Sequence, residues 1–131
     1  MTEDEVLDSE LSLSLRTTAM PADTNPNGDI FGGWLMSQMD IAAGIFSGQQ
    51  HEGRFATVAV EKITFIKPVF VGDQVSCYCK PLSIGSTSIV LQVETWVRRF
   101  RGRNTEKVAD GQFIFVAINE DRKPVEHGIK Y

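Results

Sequence analysis

Residues 31–46 read FGGWLMSQMDIAAGIF, and this stretch decides the fold. Its apolar residues fall on nearly every side of a helical wheel, not along one stripe. A helix that is apolar all round is a buried helix. The reading is a helix from about residue 31 to 47, entered from MPADTNPNGDI (20–30), whose Pro, Asn, Asp and Gly mark a structured loop. No second helix is legible, so the only body large enough to bury this one is a sheet. The sheet should wrap around it, with a partner subunit covering what remains.

Outward from the helix, everything reads as strand. Upstream, Leu11, Leu13 and Leu15 alternate with Ser12 and Ser14, a period of two. Downstream, RFATVAVEKITFIKP (54–68) is one strand, ended by Pro68 and the Val71-Gly72-Asp73 turn. Gln74 to Ile84 is the next. The Gly85-Ser86 turn leads into Thr87 to about Phe100, and a basic turn leads into Lys107 to Ile118. Long antiparallel strands with short turns and one helix make the fold class α+β. The expected organisation is a flexible acidic arm over residues 1–10 and a single domain over 11–131. A chain of 131 residues has room for one core and not for two.

Composition excludes several functions. The net charge of −4 argues against general nucleic-acid binding, which depends on neutralising phosphates. The local exception is Arg98, Arg99, Arg101, Arg103 and Lys107, crowded into ten residues. No apolar run approaches the roughly 20 residues of a membrane helix, so no membrane insertion is expected. The acidic start MTEDEVLDSE is unlike a targeting leader, and the expected address is the cytoplasm. Cys77 and Cys79 are two apart on a strand. A bridge between them would be strained and no second pair exists to build a zinc site, so both are read as reduced thiols and no metal is expected.

Asp40 stands in the middle of the apolar helix. An unpaired charge there costs several kcal/mol, so it is hydrogen-bonded, protonated or open to a cleft. Burial alone leaves a structural carboxylate and an active-site acid equally open. At the helix start, Asp29 is a candidate cap, and Gly32-Gly33 leaves the first turn without side chains. Free N–H groups there suit an oxyanion, although Gly-Gly also suits close packing. Asp40 lies about 10 Å beyond Gly33 along the axis, at 1.5 Å per residue. One carbonyl cannot touch both in one chain. If they cooperate, the site is shared between subunits.

Taken together, LRTTAMPADTNPNGDIFGGWLMSQMD, then TVAVEKITFIKPVFVGD, then IGSTSI before a strand ending WVRR, resembles the YciA-type bacterial acyl-CoA thioesterases over roughly residues 13–120. The resemblance implies a hotdog fold, an antiparallel sheet wrapped around one long central helix. It implies homo-oligomers, dimers at minimum and hexamers as trimers of dimers, with broad acyl-CoA specificity. It implies that Asp40, ending S-Q-M-D, is the catalytic acid. In related hydrolases an Asn just before the helix acts across the interface, and here Asp29 stands in its place, with Asn27 as the alternative. No separate cofactor is implied, because CoA is part of the substrate.

On that resemblance Asp40 is a general base or a nucleophile, with the Gly33 and Gly32 N–H groups of the opposite subunit as oxyanion donors. For CoA, the turn Gly85-Ser86-Thr87-Ser88 offers donors, and Lys67, Arg98 and Arg99 offer positive charge. Arg98 and Arg99 are neighbours on a strand and point to opposite sides, so at most one serves the site. Thr57 and Glu61 are candidates to face the catalytic water. His51 and His127 fall in a loop and the tail, which disfavours a hotdog dehydratase. The other competing readings are a non-catalytic acyl-CoA-binding protein and an acyl-carrier-protein thioesterase.

Overall fold

The computed structural model describes residues 10–129; of the expected acidic arm, all but Glu10 lies outside them. The elements are β1 (Ser12–Thr18), a 3-10 turn (Pro21–Asp23), α1 (Gly32–Gln50), β2 (Arg54–Phe65), β3 (Gln74–Ile84), β4 (Ser88–Arg98) and β5 (Thr105–Ile118). The strands form one antiparallel sheet in the order β1-β3-β4-β5-β2. β1 and β2, which flank the helix in sequence, lie at opposite edges. The chain therefore crosses the whole sheet through α1, and the helix touches all five strands.

One side of the helix makes the core. Leu35, Met39, Ala42, Ala43 and Phe46 recur at helical spacing and are buried against the inward positions of the sheet, among them Val75, Cys77, Leu91, Val93, Phe113 and Phe115. Each large side chain buried there contributes about 1.5–3 kcal/mol. Cys77 and Cys79 are free thiols on that inner surface.

The sheet covers the helix on one side only. Ile41 is 49% exposed and Ile45 41%. Edge strand β2 also leaves Val58 57% exposed, and its outer ladder has no partner strand among the described residues. An apolar helix face beside an unpaired strand edge is what a second subunit would cover.

β2 is not straight. Its pairing with β5 shifts between Thr57 and Ala59 and again between Glu61 and Thr64, where Lys62 takes a positive φ of 51°. The second bulge bends the strand, so that Phe65, Ile66 and Lys67 line a cleft at the helix start.

Candidate active site

The helix start is built by its loop. Asn25 Oδ1 accepts the N–H groups of Asn27 (2.9 Å) and Asp29 (3.2 Å), and Gly28 makes the turn with φ +89°. Ile30 N–H donates to Val69 O and Phe31 N–H to Asp23 O, which fixes the entry into α1. Asn25 is the organising residue that the sequence reading missed; its signal was the N-P-N-G spacing of an Asx-type turn.

Asp29 does not cap the helix. The N-cap is Phe31, and no side chain among the described residues bonds to the first turn. The first N–H groups to find acceptors near the helix start are those of Trp34 and Leu35, both on Phe31 O. The N–H groups of Gly32 and Gly33 precede them and have no intrahelical partner, as the geometry of a helix start requires. Gly33 is also where the Phe31 ring folds across: a Cβ there would stand 2.7 Å from Phe31 Cε1.

Beside this start lies a cleft of about 290 Å³, lined by Asp29, Gly32, Leu35, Phe65, Lys67 and Pro68 among others. Asp29, Gly32 and Lys67 are thus brought together; Asn27 sits exposed on the loop. Asp40 is not part of that lining. It stands two turns further along α1, half-buried, with Oδ1 accepting the Thr57 hydroxyl at 2.7 Å. The sequence requires Asp40 to be hydrogen-bonded, protonated or open to a cleft, and it is hydrogen-bonded and half-exposed beside edge strand β2. Thr57, not Glu61, is the strand residue that reaches it. Seven residues rotate a helix by nearly two full turns, so Gly33 and Asp40 share one face about 10 Å apart.

The cations expected at CoA divide sharply. Arg99 donates from Nε to Glu106 (2.8 Å) and from Nη1 to Asp73 (2.6 Å) and Pro68 O (2.9 Å), and its guanidinium lies 5.0 Å from the Phe70 ring centre. Asp73 is buried, and this network ties β3, β4, β5 and the Lys67–Phe70 segment together. Lys67 bonds Glu106 at 2.9 Å, and the Lys67 and Arg99 contacts hold the Glu106 carboxyl below the usual carboxylate range. Arg98 is exposed, with no ion pair shown among the described residues.

Distance separates these residues from the Gly85–Ser88 turn. Ser88 and Arg98 are the two ends of β4, about 33 Å apart at 3.3 Å per residue. One CoA molecule does not meet both on one subunit. His51 sits at the C-terminal cap of α1, and His127 bonds Ser88 O in the Gly85–Ser88 turn.

Residues 27–99 match the thioesterase superfamily. The chain belongs to that superfamily. Its similarity to the acyl-CoA thioester hydrolase YciA of Salmonella typhimurium is 50% identity over 115 residues, 86% of each chain. Among solved structures, the hexameric thioesterase of Yersinia pestis superposes with a TM-score of 0.88 at 45% identity, covering 95% of this chain and all of that one. The hexameric hotdog fold thioesterase of Campylobacter jejuni gives 0.86 at 35% identity over 92% and 93%. The fold is the hotdog fold. Within this thioesterase superfamily chain, the helix of that fold carries Asp40 and its start carries Gly32 and Gly33.

Proposed function

We propose that the protein hydrolyses acyl-coenzyme A thioesters to the free acid and CoA, at sites shared by two subunits of a homo-oligomer. The observation that carries the reading is the placement of Asp40: half-open on the edge of α1, oriented by Thr57, and about 10 Å from the free N–H groups on the same helix face. A two-fold partner packed on this face would bring its own helix start to Asp40.

The chemistry follows from those groups. Thr57 occupies Oδ1, which leaves Oδ2 to take a proton from water. The water oxygen bonds to the thioester carbonyl carbon, and the N–H of the partner's Gly33, aided by that of Gly32, stabilises the oxyanion. As the carbonyl re-forms, the C–S bond breaks and the Asp40 proton passes to the departing sulfur. Direct attack by Asp40 through a mixed anhydride uses the same residues. Asp29, or Asn27 on the same loop, takes the polar position at the partner's helix start, and the Gly85–Ser88 turn and Arg98 contact CoA from different subunits.

The relatives' names support acyl-CoA as the carrier, and both solved neighbours named above are hexamers. Hexameric assembly as a trimer of dimers is therefore part of the reading. So is the cytoplasm, where CoA thioesters are used; no helix among the described residues is long and apolar enough to cross a membrane.

The test is CoA release, followed with a thiol reagent across acyl chain lengths. Wild type should release CoA, and Asp40→Asn should lose at least about 10²-fold in kcat. A folded Asp40→Asn variant with full activity removes Asp40 from the reaction. Tight acyl-CoA binding without turnover makes the protein a binding module, and faster release from acyl-carrier protein reassigns the carrier.

A further inference from the structure

Phe31 is the N-cap of α1, a position where apolar side chains are disfavoured. Ser, Thr, Asp and Asn are preferred there because a side-chain oxygen accepts one of the first free N–H groups of the helix. The Phe31 side chain has no oxygen to offer.

Its backbone is already committed. Phe31 N–H donates to Asp23 O at 2.8 Å, and its carbonyl accepts the N–H groups of Trp34 (3.0 Å) and Leu35 (3.2 Å). A capping oxygen at position 31 reaches the second or third residue of the helix, which are Gly33 and Trp34. Trp34 N–H is held, so Gly33 N–H is the donor that a cap would claim. Asp29 offers no substitute. It is tied into its own loop, with its N–H on Asn25 Oδ1 (3.2 Å) and its carbonyl accepting the Asn25 N–H (2.7 Å).

The place of the ring points the same way. It folds back over Gly33, with Cε1 2.7 Å from where a Cβ would be, yet it remains 56% exposed. The end of the Phe65 ring comes within 3.8 Å of where a Gly32 Cβ would be, and the cleft lined by Gly32 and Phe65 opens there. Each glycine thus has an apolar ring beside it and, among the described residues, no side-chain cap. A helix start left in this state departs from the usual capping rule, and such departures are expected where function is served.

We infer that Phe31 is a positioning residue for the proposed reaction: as a cap without an oxygen, it leaves the Gly33 N–H unclaimed for the oxyanion of the thioester. This rests on the acyl-CoA reading above. Phe31 acts through Gly33, so its effect belongs in kcat and not in substrate binding.

The experiment sets Phe31→Ser beside Phe31→Ala, two variants that differ by one oxygen. The hydroxyl should cap the helix, so the Ser variant should melt at the higher temperature. It should nonetheless turn over acyl-CoA at least about tenfold more slowly than the Ala variant, with KM within about threefold, since losing one oxyanion donor costs about 10²- to 10³-fold in kcat. A merely structural residue would give the reverse order, the more stable variant being the more active. A Ser variant with kcat equal to or above that of the Ala variant overturns the inference. If either variant does not fold, Phe31→Asn and Phe31→Leu make the same comparison. Amide exchange at Gly33, followed by NMR without substrate, should be slower in the Ser variant than in the Ala variant, and equal exchange also overturns the inference. If wild type releases no CoA from any acyl-CoA, the function reading is what fails, and amide exchange still decides whether residue 31 governs the Gly33 donor.

Discussion

The Thr57 hydroxyl donates to Oδ1 of Asp40 at 2.7 Å, joining the edge strand β2 to the middle of α1. This bond fixes which carboxylate oxygen remains for water. Replacing Thr57 by Val keeps the shape and removes the donor. We expect kcat to fall about tenfold or more with KM little changed, and Thr57→Ser to recover most of it. Steady-state kinetics decide this; a Val variant with unchanged kcat shows that Asp40 needs no such orientation.

A shared site makes a second prediction. Gly33→Pro removes the N–H in the first helical turn, where proline is tolerated, and obliges the Phe31 ring, 2.7 Å from a Cβ at this position, to swing aside. Alone, it and Asp40→Asn should each be inactive. Co-expressed in equal amounts, half the dimers are mixed, and each mixed dimer regains one intact site of two, so about a quarter of wild-type activity should return. Absence of any recovery in verified mixed dimers would place both groups in one subunit.

Arg99 and Arg98 are adjacent in sequence and opposite in role. Arg99→Met leaves buried Asp73 without its cation and should cost about 3 kcal/mol in denaturant unfolding. Arg98→Ala should change stability by less than about 0.5 kcal/mol. Comparable losses from the two would contradict the network described around Asp73.

Burial pushes the Cys77 thiol up to about 11 and the Cys79 thiol up to about 12 from an ordinary value of 9.0, against small opposing hydrogen bonds from Thr95 and Ser14. Because the folded values lie above the unfolded one, the thiol form is favoured by folding. That stabilisation is complete below pH 9 and is lost as pH rises through about 11 and 12. At pH 8 the native protein should give no reaction with an aromatic disulfide reagent, and two thiols should appear on denaturation. Rapid labelling of native protein would show that this side of the sheet opens.

The helix, the strands and their antiparallel pairing were legible because each carries its own periodicity in neighbouring residues. The all-round apolar helix also announced a partner, since Ile41 and Ile45 are too apolar for the open side they occupy. The state of Asp40 was legible only in part: its need for an open or bonded environment followed from its position, but the Thr57 bond depends on how β2 lies against α1. Long-range ion pairs were invisible. Arg99 meets Asp73 across 26 residues and Lys67 meets Glu106 across 39, so three side chains marked by charge alone as phosphate contacts divided into two structural partners and one arginine with no ion pair among the described residues. His127 read as a tail residue because its partners, Ser86 and Ser88, are some forty positions away.

The bulge at Lys62 sets a boundary along β2. From Ala59 to Glu61 the strand keeps register beside β5, after a first shift that follows Thr57, which faces Asp40; past Lys62, Phe65 to Lys67 turn to wall the cleft. Side chains alternate with a period of two, so deleting the one extra residue would reverse every facing beyond it. Phe65 would swap places with its neighbours, and the floor of the cleft would empty while the Thr57 end kept its place. Spacing between the docking edge and the ligand wall is thus measured out by a single left-handed lysine, and drift in length at that point should be the least forgivable change in the chain.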